Sequence, residues 1–324
     1  MQYRTLGRTG VQVSALCFGT MSFGGDADEE TSAAMFRRCR DAGINFFDCA
    51  DVYSRGRAEE ILGRLIRGSR DELVITSKVM GQMGEDINSR GLSRRHIMLA
   101  AEDSLRRLGT DRLDLYFLHN WDPTQPIEEP LRALEDLTRQ GKVVYPAVSN
   151  WAAWQIAKGL GIQAQRGWTR FECLQPMYNL VKRQAEVEIL PLARAEQVGV
   201  ITYSPLGGGL LSGKYGTGAR PEHGRLVDNS TYASRYGEQR YYEIADRFVA
   251  HSRERGLHPA TLAVAWVMSH PAVTAPIIGA RNLEQLEPSL AAAEVPMTPE
   301  WRAEISALSV EPPPATDRSE ETQR

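Results

Sequence analysis

Four polar residues with the chemistry of proton transfer lie at or just after the ends of segments whose pattern predicts β-strands: Asp48, Tyr53, Lys78 and His119. The segments read NFFDCADVY at 45–53, LVITSK at 73–78 and LDLYFLH at 113–119. A carboxylate, a phenol, an ammonium and an imidazole that meet in one pocket can form a proton-delivery site. The strands that carry them must then lie side by side.

Each of the four groups suits one role in such a site. A tyrosine has an ordinary pKa of about 10, and a neighbouring ammonium lowers that pKa by stabilising the phenolate. We therefore expect Tyr53 to be a general acid whose pKa Lys78 lowers, Asp48 to keep Lys78 charged and oriented, and a neutral His119 to orient the substrate. Taken singly, each would more simply be a surface or structural residue. We interpret Asp51 as a polar loop residue rather than a second catalytic carboxylate.

Composition excludes several classes of protein. The chain has 324 residues and a formal net charge of −3, so it lacks the basic surplus that holds nucleic acid or an anionic membrane. No apolar run approaches the ~20 residues that span a bilayer, and the N-terminus lacks the apolar core of a secretory signal. The histidines are scattered, which predicts no metal site. Four cysteines without C-x-x-C spacing predict reduced thiols in a cytoplasmic protein. The sequence does not decide whether the protein forms a homo-oligomer.

Strand and helix patterns alternate along the chain. The predicted strands are 15–18, 46–48, 73–78, 113–119, 143–149, 173–176, 200–203 and 275–278. The predicted helices are 29–42, 58–66, 93–108, 127–140, 152–161, 185–197, 241–255 and 283–292, with an extra buried helix at 260–269. Eight mostly apolar strands alternating with helices predict a (β/α)8 TIM barrel, an α/β fold in a single domain over 1–310. An N-terminal hairpin precedes it, extra C-terminal helices accompany it, and 311–324 is expected to be a disordered tail.

Capping residues support these boundaries, and one stretch departs from the pattern. Ser93 is placed to cap the helix that follows it, and glycines at 43 and 141 stand where a helix must turn into a strand. The stretch 207–236, rich in Gly and Arg, departs from the repeat, and loops of this length are usually functional or mobile.

The order and strand context of the four polar residues resemble those of the aldo-keto reductases, whose catalytic tetrad is Asp, Tyr, Lys and His in that sequence. The resemblance extends from about Tyr3 to about Leu308 and is strongest to the bacterial reductase branch, which is related to potassium-channel β subunits. It implies NADPH-dependent reduction of an aldehyde or ketone to an alcohol. The hydride would come from the nicotinamide and the proton from Tyr53.

The cofactor site is implied mainly by the same resemblance. No G-x-G-x-x-G opens a βαβ unit, so a Rossmann site is unsupported. Three glycines at 207–209, followed by Lys214, could expose backbone N–H groups to an anion. The positions that match the family's NADPH contacts, with the loop's Arg225 added for its charge, are Thr20, Met21, Ser149, Asn150, Gln175, Tyr203, Ser204, Pro205, Leu206, Gly207, Lys214, Arg225, Gly279, Arg281 and Gln285. In this match Tyr203 lies against the nicotinamide, Ser149, Asn150 and Gln175 hold its carboxamide, and Arg281 favours a 2′-phosphate.

Some features depart from this pattern or allow another function. Pro288 and Ser289 stand where the family often has Glu and Asn against adenine. A channel-β-like or nucleotide-sensing binding protein is the alternative function, but those subunits have Asn where this chain has His119. A barrel lyase or isomerase that does not bind a nicotinamide cofactor is a third alternative, but it would not explain the residues that match the family's cofactor contacts. The substrate is not identified, although Met21, Trp121, Trp151 and the loop 81–91 are candidates to contact it, or to pack their own loops.

Overall fold

A computed structural model describes residues 1–316 and Arg318. It contains a hairpin and a closed parallel barrel whose strands neighbour one another in the order β10-β3-β4-β5-β6-β7-β8-β9. The strands are β1 Tyr3–Thr5, β2 Gln12–Ser14, β3 Cys17–Gly19, β4 Phe46–Asp48, β5 Val74–Val79, β6 Leu113–Leu118, β7 Val143–Ser149, β8 Cys173–Gln175, β9 Gly199–Thr202 and β10 Ala275–Ile278. The predicted TIM barrel and N-terminal hairpin are therefore confirmed.

Helices surround the barrel and follow the strands in the predicted order. They are α1 Glu29–Asp41, α2 Arg57–Leu65, α3 Arg94–Leu108, α4 Glu128–Arg139, α5 Ala153–Arg166, α6 Ile189–Ala195, α7 Arg225–Asp228, α8 Ser230–Tyr236, α9 Gln239–Glu254, α10 Pro259–Met268, α11 Leu283–Leu290 and α12 Pro299–Ser306. The predicted cap at Ser93 is present, because its side chain accepts a hydrogen bond from the His96 amide.

Three predicted segments differ from the structure. Helix α5 runs five residues past its predicted end, because Gly161 is tolerated within the helix and the stop is Gly167, with φ +64°. The predicted helix 185–197 is shorter and begins at Ile189, which places Pro191 in the first turn, where its missing N–H costs least. The stretch 207–236 contains a 3₁₀ turn and two short helices, α7 and α8, rather than a continuous loop.

Side-chain alternation along the strands decides what faces the barrel interior. A small cluster of buried apolar residues fills that interior and includes Phe46, Val74 and Phe117. Neighbouring residues such as Phe47 belong instead to the outer core, where Phe47 packs against Phe36 of α1 at 4.8 Å between ring centroids. Since a strand has a period of two, the next inward positions toward the carboxyl ends are polar groups. The residues that face the cavity therefore lie on the same, inward-facing side of their strands as the apolar residues that fill the barrel interior.

The hairpin closes the other end of the barrel. Leu6 and Val13 belong to the interior cluster, and a Cβ on Gly7 would lie 2.7 Å from the backbone nitrogen of Gly199, at the start of β9. Only glycine permits that approach.

The limits of the domain stay a prediction. Residues 311–316 have no helix or strand, and most of the remaining predicted tail lies outside the described residues. Within the described residues, none of the helices has the length and apolar character of a membrane span.

Candidate active site

A buried ion pair lies at the carboxyl ends of β4 and β5. The Lys78 ammonium is 2.6 Å from Oδ2 of Asp48, and both side chains are almost completely buried. Lys78 also donates to the carbonyl of Cys49 at 2.8 Å. The other Asp48 oxygen accepts from Thr76 at 2.8 Å and from Gln175 at 2.9 Å. These donors hold the carboxylate in place. Burial lowers the pKa of Lys78, but the Asp48 carboxylate and Tyr53 together raise it well above its ordinary value, so the lysine carries its proton.

Tyr53 lies against this pair at the start of a 3₁₀ turn, Tyr53–Gly56. Its hydroxyl accepts a hydrogen bond from Lys78 at 3.1 Å and faces the cavity. Burial raises the pKa of Tyr53 to about 12, and the Lys78 charge, the largest opposing effect, does not overcome it. The expectation that the pKa of Tyr53 falls below its ordinary value is therefore wrong for this structure. The phenol holds its proton firmly, and the ammonium is placed to stabilise the phenolate once that proton leaves.

His119 completes the group from the end of β6. Its ring lies edge-on to Tyr53, with 6.2 Å between ring centroids. Burial and, to a lesser degree, the nearby Lys78 charge lower the pKa of His119 to about 3. The imidazole is thus neutral at physiological pH, as expected, and suits a hydrogen bond to a neutral oxygen rather than an ion pair.

Asp51 lies in the turn after β4 and outside the cavity, as expected of a polar loop residue, but its surroundings were not foreseen. Its side chain is fully buried, and burial followed by the charge of Glu59 raises its pKa to about 7. Glu59 in turn pairs with Arg107 at 2.6 Å and accepts from Ser77 at 2.5 Å. This polar cluster lies behind β4 and β5 and does not line the cavity.

A cavity of about 630 Å³ opens over the four polar groups. Among the predicted cofactor positions it is lined by Met21, Ser149, Asn150, Gln175, Tyr203, Ser204, Pro205, Leu206, Lys214, Arg225, Gly279, Arg281 and Gln285. Thr20 and Gly207 are buried and are not part of its lining, and Lys78 is buried against Tyr53 and Asp48, which are. Thr20 donates to the Asp48 carbonyl at 3.0 Å, so it supports β4 instead. The structure therefore brings most of the predicted positions to one surface.

In the cavity wall nearest to His119, a chain of hydrogen bonds connects residues at the ends of β7, β8 and β9. Ser149 donates to the Gln175 carbonyl at 3.0 Å, and Asn150 donates to Ser149 at 3.1 Å and to the His119 carbonyl at 2.9 Å. The Tyr203 hydroxyl donates to the Asn150 side chain at 2.6 Å. Asn150 and Ser204 have φ values of +58° and +57°, and backbone held in this region by residues other than glycine is concentrated at functional sites.

The opposite wall of the cavity, away from His119, is lined by positively charged side chains. Burial lowers the pKa of Lys214, and the charges of Arg281 and Arg225 lower it further. Arg281 pairs with Asp26 at 2.9 Å, and its backbone N–H donates to Gln285. Gly208 and Gly209 have φ values of +68° and +100°, which allow the 3₁₀ turn Gly207–Ser212 to lie close to the Lys214 side chain. Three cations that repel one another beside a glycine turn suit a ligand with several negative charges.

Sequence reasoning missed part of this lining. Tyr232 and Arg235 of α8 and His258 before α10 also face the cavity. Helix α8 was overlooked because it is short, although Asn229 is a typical N-cap and accepts from the amides of residues 231 and 232.

The predicted substrate contacts are only partly present at the cavity. Met21 lines it, whereas Trp121, Trp151 and the loop 81–91 do not. Trp151 is buried against Trp121 and Phe171, with ring centroids 4.8 Å and 5.6 Å away. Packing of the loops is therefore the better interpretation of these two tryptophans. Among the described residues no group of histidine, cysteine or acidic side chains could hold a metal ion.

Comparison with known proteins agrees with this geometry. The model of the Aldo/keto reductase family matches residues 15–310. An "Uncharacterized oxidoreductase YrpG" of Bacillus subtilis is 37% identical, over 93% of this chain and 93% of the relative. A "Probable voltage-gated potassium channel subunit beta" of Oryza sativa is 36% identical over 98% and 99%, and a "Putative voltage-gated potassium channel subunit beta" of Schizosaccharomyces pombe is 35% identical over 94% and 92%. The chain belongs to the aldo/keto reductase family and is an NAD(P)H-dependent oxidoreductase.

Proposed function

We propose that this protein reduces an aldehyde or ketone to an alcohol with NADPH, and that Tyr53 supplies the proton. The observation that carries the proposal is the contact of 3.1 Å between the Lys78 ammonium and the Tyr53 hydroxyl at the floor of the cavity. A protonated phenol beside a buried, charged lysine is both a proton donor and a stabilised conjugate base.

The cavity walls fit the dinucleotide at both ends. Tyr203, Ser149 and Asn150 offer an aromatic face and amide and hydroxyl groups beside His119, as a nicotinamide requires. Lys214, Arg225 and Arg281 offer the charge that a pyrophosphate and a 2′-phosphate require, which supports NADPH over NADH. When bound, NADPH supplies a hydride to the carbonyl carbon.

The residues of this chain handle the oxygen. Neutral His119 donates a hydrogen bond to the substrate carbonyl and turns it toward Tyr53. Tyr53 transfers its proton to that oxygen as negative charge develops there, and Lys78 stabilises the resulting phenolate. Asp48 keeps Lys78 charged and aimed at Tyr53, with Thr76 and Gln175 fixing the carboxylate.

Replacing Tyr53 with Phe tests this assignment. The variant keeps the ring and loses the hydroxyl, so we expect turnover of simple aldehydes to fall by about two to four orders of magnitude. NADPH binding, followed by fluorescence titration, should persist. Near-normal turnover by the purified variant would remove Tyr53 from the proton-donor role.

A channel-β-like binding function is the second candidate, because relatives over most of the chain carry that name. His119 favours the reductase, since the resembling channel subunits have Asn at this position. Saturable binding to the cytoplasmic segment of a potassium channel, together with negligible turnover of a panel of aldehydes, ketones and sugars, would favour the second candidate.

We also propose that the protein works in the cytoplasm on a small-molecule carbonyl substrate. All four cysteines are unpaired and buried, which supports a reducing compartment.

A further inference from the structure

Arg235 is a cation of the cavity wall that neither the tetrad nor the cofactor match uses. It is half-buried on α8 and lines the same cavity as Tyr53 and His119. Within residues 1–316 its guanidinium makes no ion pair with a carboxylate, although many other arginines in that range do. A half-buried charge without a counter-ion is costly, so a ligand that neutralises it binds favourably.

Tyr232 holds this guanidinium in place. The Arg235 guanidinium lies 5.1 Å from the centre of the Tyr232 ring, and Arg225 lies 5.2 Å from the same ring. A guanidinium that lies over an aromatic ring keeps its N–H donors at the edge of its plane, free to bind a carboxylate with two hydrogen bonds. Arg235 is therefore oriented before any ligand arrives.

Arg235 shares the Tyr232 ring with Arg225, but its charge acts on a different neighbour from the charges of Arg225 and Arg281. Lys214 feels the charges of Arg225 and Arg281, whereas the charge of Arg235 acts on Tyr203, whose pKa it lowers against the larger effect of burial. The Tyr203 hydroxyl bonds to Asn150, and Asn150 bonds to the His119 carbonyl. Arg235 thus lies on the side of the cavity that carries the reacting groups.

The acidic residues of the lining do not balance this charge. They are Asp48, which is paired with Lys78, and Glu284, in the first turn of α11 and three residues past Arg281. The side of the cavity near Tyr203 therefore has an unmatched positive charge within the described lining.

We propose that Arg235 binds a carboxylate of the substrate, so that the enzyme prefers aldehydes or ketones bearing an acidic group at some distance from the carbonyl. The proposal rests on the reductase function proposed above. Arg235 is then a specificity-determining residue that anchors one end of the substrate while His119 and Tyr53 engage the other.

The test compares 4-carboxybenzaldehyde with its methyl ester, which differ mainly in charge, for the wild-type protein, Arg235→Gln and the control Arg253→Gln. Arg253 is exposed near the end of α9 and does not line the cavity. We expect the wild-type kcat/KM to favour the acid by about 10- to 100-fold, the range for a charge-assisted hydrogen-bonded pair. Arg235→Gln should remove most of this ratio, and Arg253→Gln should keep it.

Other outcomes overturn the proposal. Equal use of acid and ester by the wild-type protein contradicts it. An Arg235→Gln variant that binds NADPH more weakly but keeps the ratio would instead make Arg235 a cofactor residue. If neither aldehyde is reduced, the reductase function fails, and calorimetry with benzoate and benzamide decides the carboxylate site separately. Benzoate binding that is lost in Arg235→Gln supports the site, and its absence from the wild-type protein contradicts it.

Discussion

Neutralising one member of the Asp48–Lys78 pair should cost far more than neutralising both. The two charges are 2.6 Å apart, with side-chain exposures of 3% and 0%. At an effective dielectric constant of about 20, their attraction is about 6 kcal/mol. Asp48→Asn leaves the ammonium buried without a counter-ion, and Lys78→Met leaves the carboxylate in that state. Each single change should therefore destabilise the fold by roughly 3–5 kcal/mol.

The double variant replaces the ion pair with neutral groups of similar size. Because neither charge then remains, its cost should be about 1–3 kcal/mol, well below the sum of the two single costs. The coupling free energy should be about 3 kcal/mol or more. Urea unfolding of all four proteins, followed by tryptophan fluorescence in the absence of NADPH, measures it.

An exposed pair of similar length is the matched control. Arg64 and Glu29 are 2.7 Å apart, with side-chain exposures of 44% and 59%. A double-mutant cycle there should give a coupling of no more than about 1 kcal/mol, since solvent screens exposed charges. A buried cycle whose coupling does not exceed that of the surface cycle would refute the reasoning.

Three further predictions concern pH, the cofactor and packing. Because the pKa of His119 is lowered to about 3 and that of Tyr53 is raised to about 12, both stay in their active forms, and kcat/KM for reduction should be flat between about pH 5 and pH 8. A step near pH 6.5 that disappears in His119→Asn would contradict this. Arg281→Ala should weaken NADPH binding by about 10- to 100-fold and NADH binding much less, and equal losses by fluorescence titration would exclude a 2′-phosphate contact. A Cβ on Gly63 would lie 2.6 Å from the Leu108 carbonyl, so Gly63→Ala should cost about 1–3 kcal/mol in urea unfolding, whereas Gly161→Ala, with open space around it, should gain about 0.5–1 kcal/mol.

Local patterns were sufficient to predict the strands and the four polar residues at their ends. Apolar segments of three to seven residues with turn residues between them predict buried parallel strands, and the observed bounds differ by at most two residues. The helix boundaries depended on weaker signals. Gly161 and Gly167 are both plausible stops for α5, and only packing of the longer helix decides between them.

The sequence by itself determined which residues lie at the carboxyl ends of the strands, because chain order and a period of two are local properties. Tertiary structure decided what those residues experience. Gln175 reaches Asp48 across 127 residues of chain, Asp51 is fully enclosed, and burial outweighs the Lys78 charge at Tyr53. The exposure of a charge and its distance from other charges depend on groups brought together from distant parts of the chain. Those quantities set the protonation of Tyr53 and Asp51, and they place Arg235 on the cavity wall with no carboxylate partner among the residues that the structure describes.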